Sequence, residues 1–203
     1  MEVKCLSPPD LSIENELWTR GKIPAGVDEV GRGPLAGPVV AACVILPKDC
    51  VINGLNDSKK LSEGRRKKIL IDIRRYAVSL AVGIVEPEDI DRINILRAAL
   101  LAMEKSVNNL SDKPNYLLID GNQKTSLLMP QETVIKGDSK CGSIAAASVL
   151  AKVMRDYIME KYHVMYPAYN FKKHKGYPTK EHLEAIAEFG PCPIHRRSFR
   201  GVV

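Results

Sequence analysis

"AGVDEVGRGPLAGPVVAACVIL", residues 25–46, decides the fold class, because the element after its glycine turn determines which sheet can be built. Residues 25–31 read as a strand that carries Asp28 and Glu29 near its end. Gly31, Arg32, Gly33, Pro34, Gly37 and Pro38 then make a turn with little side chain. The pattern Gly31-x-Gly33-x-x-Ala36 fits a loose dinucleotide-binding fingerprint, with Asp49 at about the right distance beyond it. That reading needs a helix to begin at the turn, so that its N-terminus meets a pyrophosphate. Pro38 instead opens a run rich in β-branched residues, and residues 38–46 read as a second strand. The dinucleotide reading fails on this context, and no G-x-x-x-x-G-K-[ST] loop is present.

Working outward, residues 76–85 read as a third strand, reached through a basic helix, "LSEGRRKKILIDIRRYA", capped by Ser62. One longer helix is expected after Pro87, where Ile90, Ile93, Leu96, Leu100, Met103 and Val107 step by three and four. "NYLLID" (115–120) and "ETVIK" (132–136) read as short strands. From Gly142 to about His163 the pattern is helical, with Ile144, Ala147, Ala151, Met154 and Ile158 on one stripe, and residues 180–189 form a last helix. The expected order is β-β-α-β-α-β-α-β-α-α, an α/β fold with a mixed sheet and helical additions at its C-terminal end. Residues 1–22 are expected to be an N-terminal extension. Residues 23–203 would form one domain, with a C-terminal helical segment from about 165.

The 203 residues carry 30 Lys+Arg against 24 Asp+Glu, and the resulting +6 favours a polyanionic partner if the charge is clustered. Cysteines 5, 43, 50, 141 and 192 make no zinc-ligand spacing. Their odd number, with no secretory leader pattern, points to reduced thiols and a cytoplasmic location. Cys43 reads as core. No apolar run reaches the ~18 residues of a spanning helix, so no membrane association is expected.

Four carboxylates stand out by position. Asp28 and Glu29 lie on the first strand, Asp120 ends a later one, and Asp138 stands at the mouth of a helix. Asp28 and Asp120 meet only if their strands lie close in the sheet. Gathered acids repel by about 4 kcal/mol per pair at 4 Å and an effective dielectric of 20. Hard divalent cations offset that, and oxygen ligands select Mg²⁺ or Mn²⁺ over zinc. Because side chains alternate along a strand, Asp28 and Glu29 cannot both face one ion unless the glycine turn bends the chain. Glu29 could contribute its main-chain carbonyl instead. Taken singly, each acid reads more readily as a surface charge or a helix cap than as a metal ligand.

The wording around the acids shifts that balance. "GVDEVGRGPLAGPVVAACVIL", "LLIDGN", "KGDSKCGSIAAASVLAKVMRD" and "HKGYPT" resemble, in order, the signature segments of ribonuclease HII, from about residue 24 to "HRRSF" near the end. The arginine between the two glycines separates the chain from ribonuclease HIII. The resemblance implies a ribonuclease H-like fold and places the family's acidic quartet on Asp28, Glu29, Asp120 and Asp138, holding two Mg²⁺ or Mn²⁺ ions. It implies that Gly31, Arg32, Gly33 and Tyr177 read the substrate. It implies hydrolysis of RNA in RNA/DNA hybrids and incision at single ribonucleotides in duplex DNA, giving a 3′-hydroxyl and a 5′-phosphate, by a protein expected to be a monomer. Bare glycine backbone can approach a 2′-hydroxyl, and a tyrosine ring can pack on the adjoining sugar.

Phosphate contacts are expected from Ser58, Lys59 and Lys60, from Lys152 and Arg155 three apart on one helix, and from His174 and Lys175. Arg65 to Lys68 reads more as a solvated face. His163, His182 and His195 read as structural, and the Cys141-Gly142 pair is given no role. The competing class is a duplex-binding protein without catalysis, which would keep the basic surface and have no use for the four acids.

Overall fold

The structure, a computed structural model, describes residues 9–202. Cys5 and the first part of the expected extension lie outside the described residues. Among these residues five strands form one sheet in the order β3-β2-β1-β4-β5. They are β1 (Pro24–Val30), β2 (Val39–Ile45), β3 (Ser79–Val85), β4 (Tyr116–Asp120) and β5 (Gln131–Val134). The first three pair antiparallel, whereas β1–β4 and β4–β5 pair parallel, so the sheet is mixed as expected. β2 is buried along its whole length because helices cover both faces of the sheet, hence its unbroken apolar reading.

One face carries α3 (Pro87–Ile93) and α4 (Ile95–Asn108) over Ala25, Val27, Leu117 and Ile119. The other carries α2 (Glu63–Tyr76) and α5 (Gly142–Met165) over Ala42 and Val44. Two glycines show how closely these layers approach. A Cβ on Gly26 would lie 2.2 Å from the Ser143 carbonyl carbon at the start of α5. A Cβ on Gly83 would lie 2.0 Å from the Ala102 oxygen of α4.

Three expectations are corrected. The helix after Pro87 is two helices, broken at Asn94, whose φ of 67° leaves the helical region while its side chain accepts from Leu96 N and Arg97 N. No helix separates β4 from β5. Residues 121–130 open on Gly121 at φ 96° and end on Pro130, a stretch too short and too rich in turn residues to coil. Strand β3 begins at Ser79 rather than 76, because α2 runs through Tyr76 before the chain can turn.

Helix α1 (Ser12–Thr19) packs on the start of α5 through Glu14, which is fully buried. Its Oε1 accepts from Ser143 N at 2.7 Å and from the Cys141 thiol at 3.0 Å. Cys141 makes no side-chain cap of its own, so a carboxylate from a distant helix completes the α5 N-terminus. The C-terminal part, with α6 (Phe171–His174) and α7 (Lys180–Phe189), packs around Tyr169, Phe171 and Met159. Among the described residues no helix is long and apolar enough to cross a membrane.

Candidate active site

Strands β1 and β4 are parallel neighbours with Val27 opposite Ile119, so Asp28 and Asp120 follow side by side at the same edge. Strand alternation decides their faces. Gly26, Asp28 and Val30 turn toward α5, whereas Ala25, Val27 and Glu29 turn toward α4. Asp120 shares its face with Leu118, which packs against Ile144 of α5. Asp28 and Asp120 therefore share a side, and Glu29 reaches the edge from the opposite one. There Glu29 Oε1 pairs with Arg32 Nη1 at 3.2 Å.

The backbone pins the acids. Asp28 Oδ1 accepts from Glu29 N at 2.7 Å, and Asp120 Oδ1 accepts from Gly137 N at 2.7 Å. The second bond draws the turn Gly137–Ser139, and with it Asp138, to the end of β4. Gly137 has no room for a side chain, since a Cβ would meet Ile144 Cδ1 at 2.5 Å. A depression of about 360 Å³ lined by Asp57, Lys59, Lys60, Asp120, Lys136 and Asp138 opens beside this edge.

The electrostatics record the crowding. Burial, then the charges of Glu29 and Asp120, push the Asp28 carboxyl well above the usual carboxylate range, against a counteracting hydrogen bond from Ser148. Burial also raises Glu29, which Arg32 partly offsets. Asp138 is raised by burial and by Asp57 and Asp120, and lowered by Lys59, whose Nζ stands 3.8 Å away. Burial alone would lower the Lys59 ammonium, but Asp138, Asp57, Asp28 and Asp120 together raise it.

Among the described residues no three His, Cys, Asp or Glu side chains form a ready-made ion cage. The acids instead form an open rim of oxygen donors, with the Asp28, Glu29 and Asp138 carboxyls raised chiefly by burial. That arrangement fits a hard cation held by one or two carboxylates and completed by substrate phosphate oxygens, as Mg²⁺ prefers.

The turn 31–37 lies next to this rim. Gly33 faces Tyr177: a Cβ there would meet only the ring's Cε1, at 3.7 Å, and Tyr177 is 42% exposed. Leu35 N donates to Gly176 O at 2.8 Å, tying the turn to the segment that carries the ring.

Several expected phosphate contacts are placed otherwise. Arg155 is fully buried and donates to Ala36 O, Pro38 O and Lys175 O, so its guanidinium is spent on the backbone. His174 is buried, with Nε2 on Tyr169 O and Nδ1 accepting from Gly176 N. Ser58 is buried with its hydroxyl 2.8 Å from that of Ser148. Lys152 pairs with Asp156 at 2.7 Å and Lys175 with Glu160 at 2.9 Å. Arg32, Lys59 and Lys60 remain exposed at the rim. Sequence reasoning gave no role to Ser148 behind Asp28, Asp57 beside Asp138, or Lys136 on the rim, although Ser148 and Lys136 lie within the segment 136–156 and Asp57 directly precedes Ser58.

The ribonuclease HII family model matches residues 25–202. A ribonuclease HII of Caldanaerobacter subterraneus subsp. tengcongensis is 54% identical over 187 residues, 92% of this chain and 78% of that one. One of Syntrophus aciditrophicus is 54% identical over 188 residues, 92% and 89% of the two chains. The crystal structure of ribonuclease H2 from Pyrococcus horikoshii OT3 superposes with a TM-score of 0.72 at 26% identity, covering 88% of this chain and 94% of that one.

Proposed function

The chain belongs to the ribonuclease HII family, whose members are metal-dependent ribonucleases, and from that premise we propose that it cleaves both RNA/DNA hybrids and duplex DNA at single embedded ribonucleotides, leaving a 3′-hydroxyl and a 5′-phosphate. The observation that carries this reading is the meeting of Asp28, Asp120 and Asp138 at the ends of β1 and β4, directly beside the turn that faces Tyr177.

Each group has a part that its position supports. Asp28, itself buried, and Asp120 would hold two divalent ions, with Glu29 and Asp138 completing the donor set from either side. When bound, such ions supply an activated water and charge stabilisation at the leaving oxygen. The 31–33 backbone, free of side-chain bulk at both glycines, can hydrogen-bond the 2′-hydroxyl that marks a ribonucleotide. Tyr177 presents an exposed ring edge to the sugar that follows, where a deoxyribose fits more closely than a ribose. Lys59, Lys60 and Lys136 would meet phosphates and set the duplex in register without reading its sequence.

The test is cleavage of a duplex carrying one ribonucleotide, with Mg²⁺ or Mn²⁺ and with EDTA. The expected result is a cut at the ribonucleotide that requires the ion. Undiminished cutting in EDTA, or no cutting with either ion, would refute the proposal.

A further inference from the structure

Arg196 is fully buried and uses all five of its N–H donors on the main chain of one turn. Nε donates to Gly37 O at 2.9 Å, Nη1 to Arg32 O at 3.1 Å and Pro34 O at 2.8 Å, and Nη2 to Gly31 O at 2.6 Å and Gly37 O at 2.8 Å. Its own N–H donates to Leu35 O at 2.8 Å. Arg155 takes Ala36 O and Pro38 O. Of the eight carbonyls from Gly31 to Pro38, only that of Gly33 falls outside this set. Neither guanidinium forms an ion pair with a carboxylate among the described residues.

Burying an unpaired cation is costly, and a turn of this kind could be filled by apolar packing at less cost. Burial pulls the pKa of Arg155 down to about 10 and that of Arg196 to about 9, still above neutrality, so both remain charged. What the arrangement secures is direction. In a trans peptide the C=O and the next N–H point opposite ways, and the chain has no cis bonds among the described residues. Carbonyls of Gly31 and Arg32 aimed inward at Arg196 therefore aim the N–H groups of Arg32 and Gly33 outward. A lysine, with three donors on a single point, cannot match this fork.

We infer that Arg196 is a positioning residue for sugar recognition: by holding four carbonyls of the 31–37 turn inward, it fixes the outward donors that distinguish a ribonucleotide from a deoxyribonucleotide. The inference rests on the proposed function. Asp91 supports the arrangement from α3, accepting from Arg197 N and Ser198 N and so anchoring the segment that directly follows the guanidinium's attachment.

The measurement is a ratio that loss of folded protein does not change: the inhibition constant of an all-DNA duplex divided by the KM of the same duplex with one ribonucleotide. Arg196→Lys is expected to lower this ratio on the order of tenfold, mostly through KM, while the DNA inhibition constant stays put. Arg196→Ala should lose the ratio and regain it when free guanidinium, well below its denaturing range, refills the vacancy; methylammonium should not restore it. A folded Arg196→Lys with the wild-type ratio would overturn the role. If that variant does not fold, Arg196→Ala regaining turnover in guanidinium without regaining the ratio overturns it equally. A wild-type protein with no preference between the two duplexes would instead remove the proposed function beneath it.

Discussion

The carboxylate of Asp120 accepts the Gly137 N–H at 2.7 Å, so one side chain both ends β4 and fastens the turn that carries Asp138. Asp120→Asn keeps an acceptor at Oδ1 and removes only the charge. The turn should stay in place, duplex binding should persist, and kcat should fall by at least ~100-fold as ion binding weakens. Turnover at the wild-type rate, measured alongside binding, would remove Asp120 from the mechanism.

Behind Asp28, Ser148 and Ser58 place their hydroxyls 2.8 Å apart, and Ser148 lowers the pKa of the Asp28 carboxyl against the burial that raises it. Such outer partners orient a ligand rather than supply one. Ser148→Ala should therefore weaken Mg²⁺ activation by about 10–100-fold in the ion concentration required, and saturating ion should recover much of the rate. An unaltered Mg²⁺ titration would show that Asp28 needs no such support.

Much of this fold was legible because burial writes itself into sequence. β2 reads as a strand from its unbroken apolar run rich in β-branched residues, and α7 from its spacing. The break at Asn94 was hidden because apolar positions stay in phase across it, from Ile90 and Ile93 to Leu100 and Met103, while the cap forms only through a left-handed residue. At the site, the acids at the ends of β1 and β4 do lie at one edge of the sheet, and strand alternation parts Asp28 from Glu29. Arg155 and His174 misled because charge was read as exposure; both spend their polar atoms on carbonyls or N–H groups inside the molecule. Arg196 was unreadable for a related reason, since its partners lie as many as 165 residues away.

That distinction separates two basic residues experimentally. Lys60 is exposed at the rim, and Lys60→Ala should weaken duplex binding uniformly across sequences while lowering the slope of log affinity against log salt by about 1. Arg155→Met leaves Ala36, Pro38 and Lys175 carbonyls unpaired in the interior. It should cost about 3 kcal/mol or more in stability, read as a drop in thermal midpoint, with the salt slope unchanged in whatever remains folded. A shallower salt slope for Arg155→Met would return it to the phosphate contacts.

The Tyr177 segment rests on histidines whose tautomers are fixed by their neighbours. Cys192 N donates to His195 Nδ1 at 2.9 Å, so His195 carries its proton on Nε2 and gives it to His182 Nε2 at 3.0 Å. His182 in turn donates from Nδ1 to Tyr177 O at 2.9 Å, and His174 stacks on it with ring centroids 4.4 Å apart. A second proton on either linked ring sets N–H against N–H. Burial lowers the pKa of all three, and for His195 burial and then His182 bring it to about 4; Glu181 beside His174 opposes this and Lys173 adds to it. Each ring is thus neutral when folded and protonates near 6.5 when unfolded, so the unfolded chain binds more protons and stability falls as pH drops from about 6.5 toward 4. His195 alone contributes roughly 3 kcal/mol to that loss. The raised carboxyls of Asp28 and Asp138 act in the opposite sense, stabilising as they protonate, so the informative quantity is a difference between variants. Thermal midpoints of the wild type should fall more steeply across this window than those of His195→Gln, which has one titrating ring fewer. Parallel curves for the two proteins would show that the histidine chain holds the Tyr177 turn without any linkage to pH.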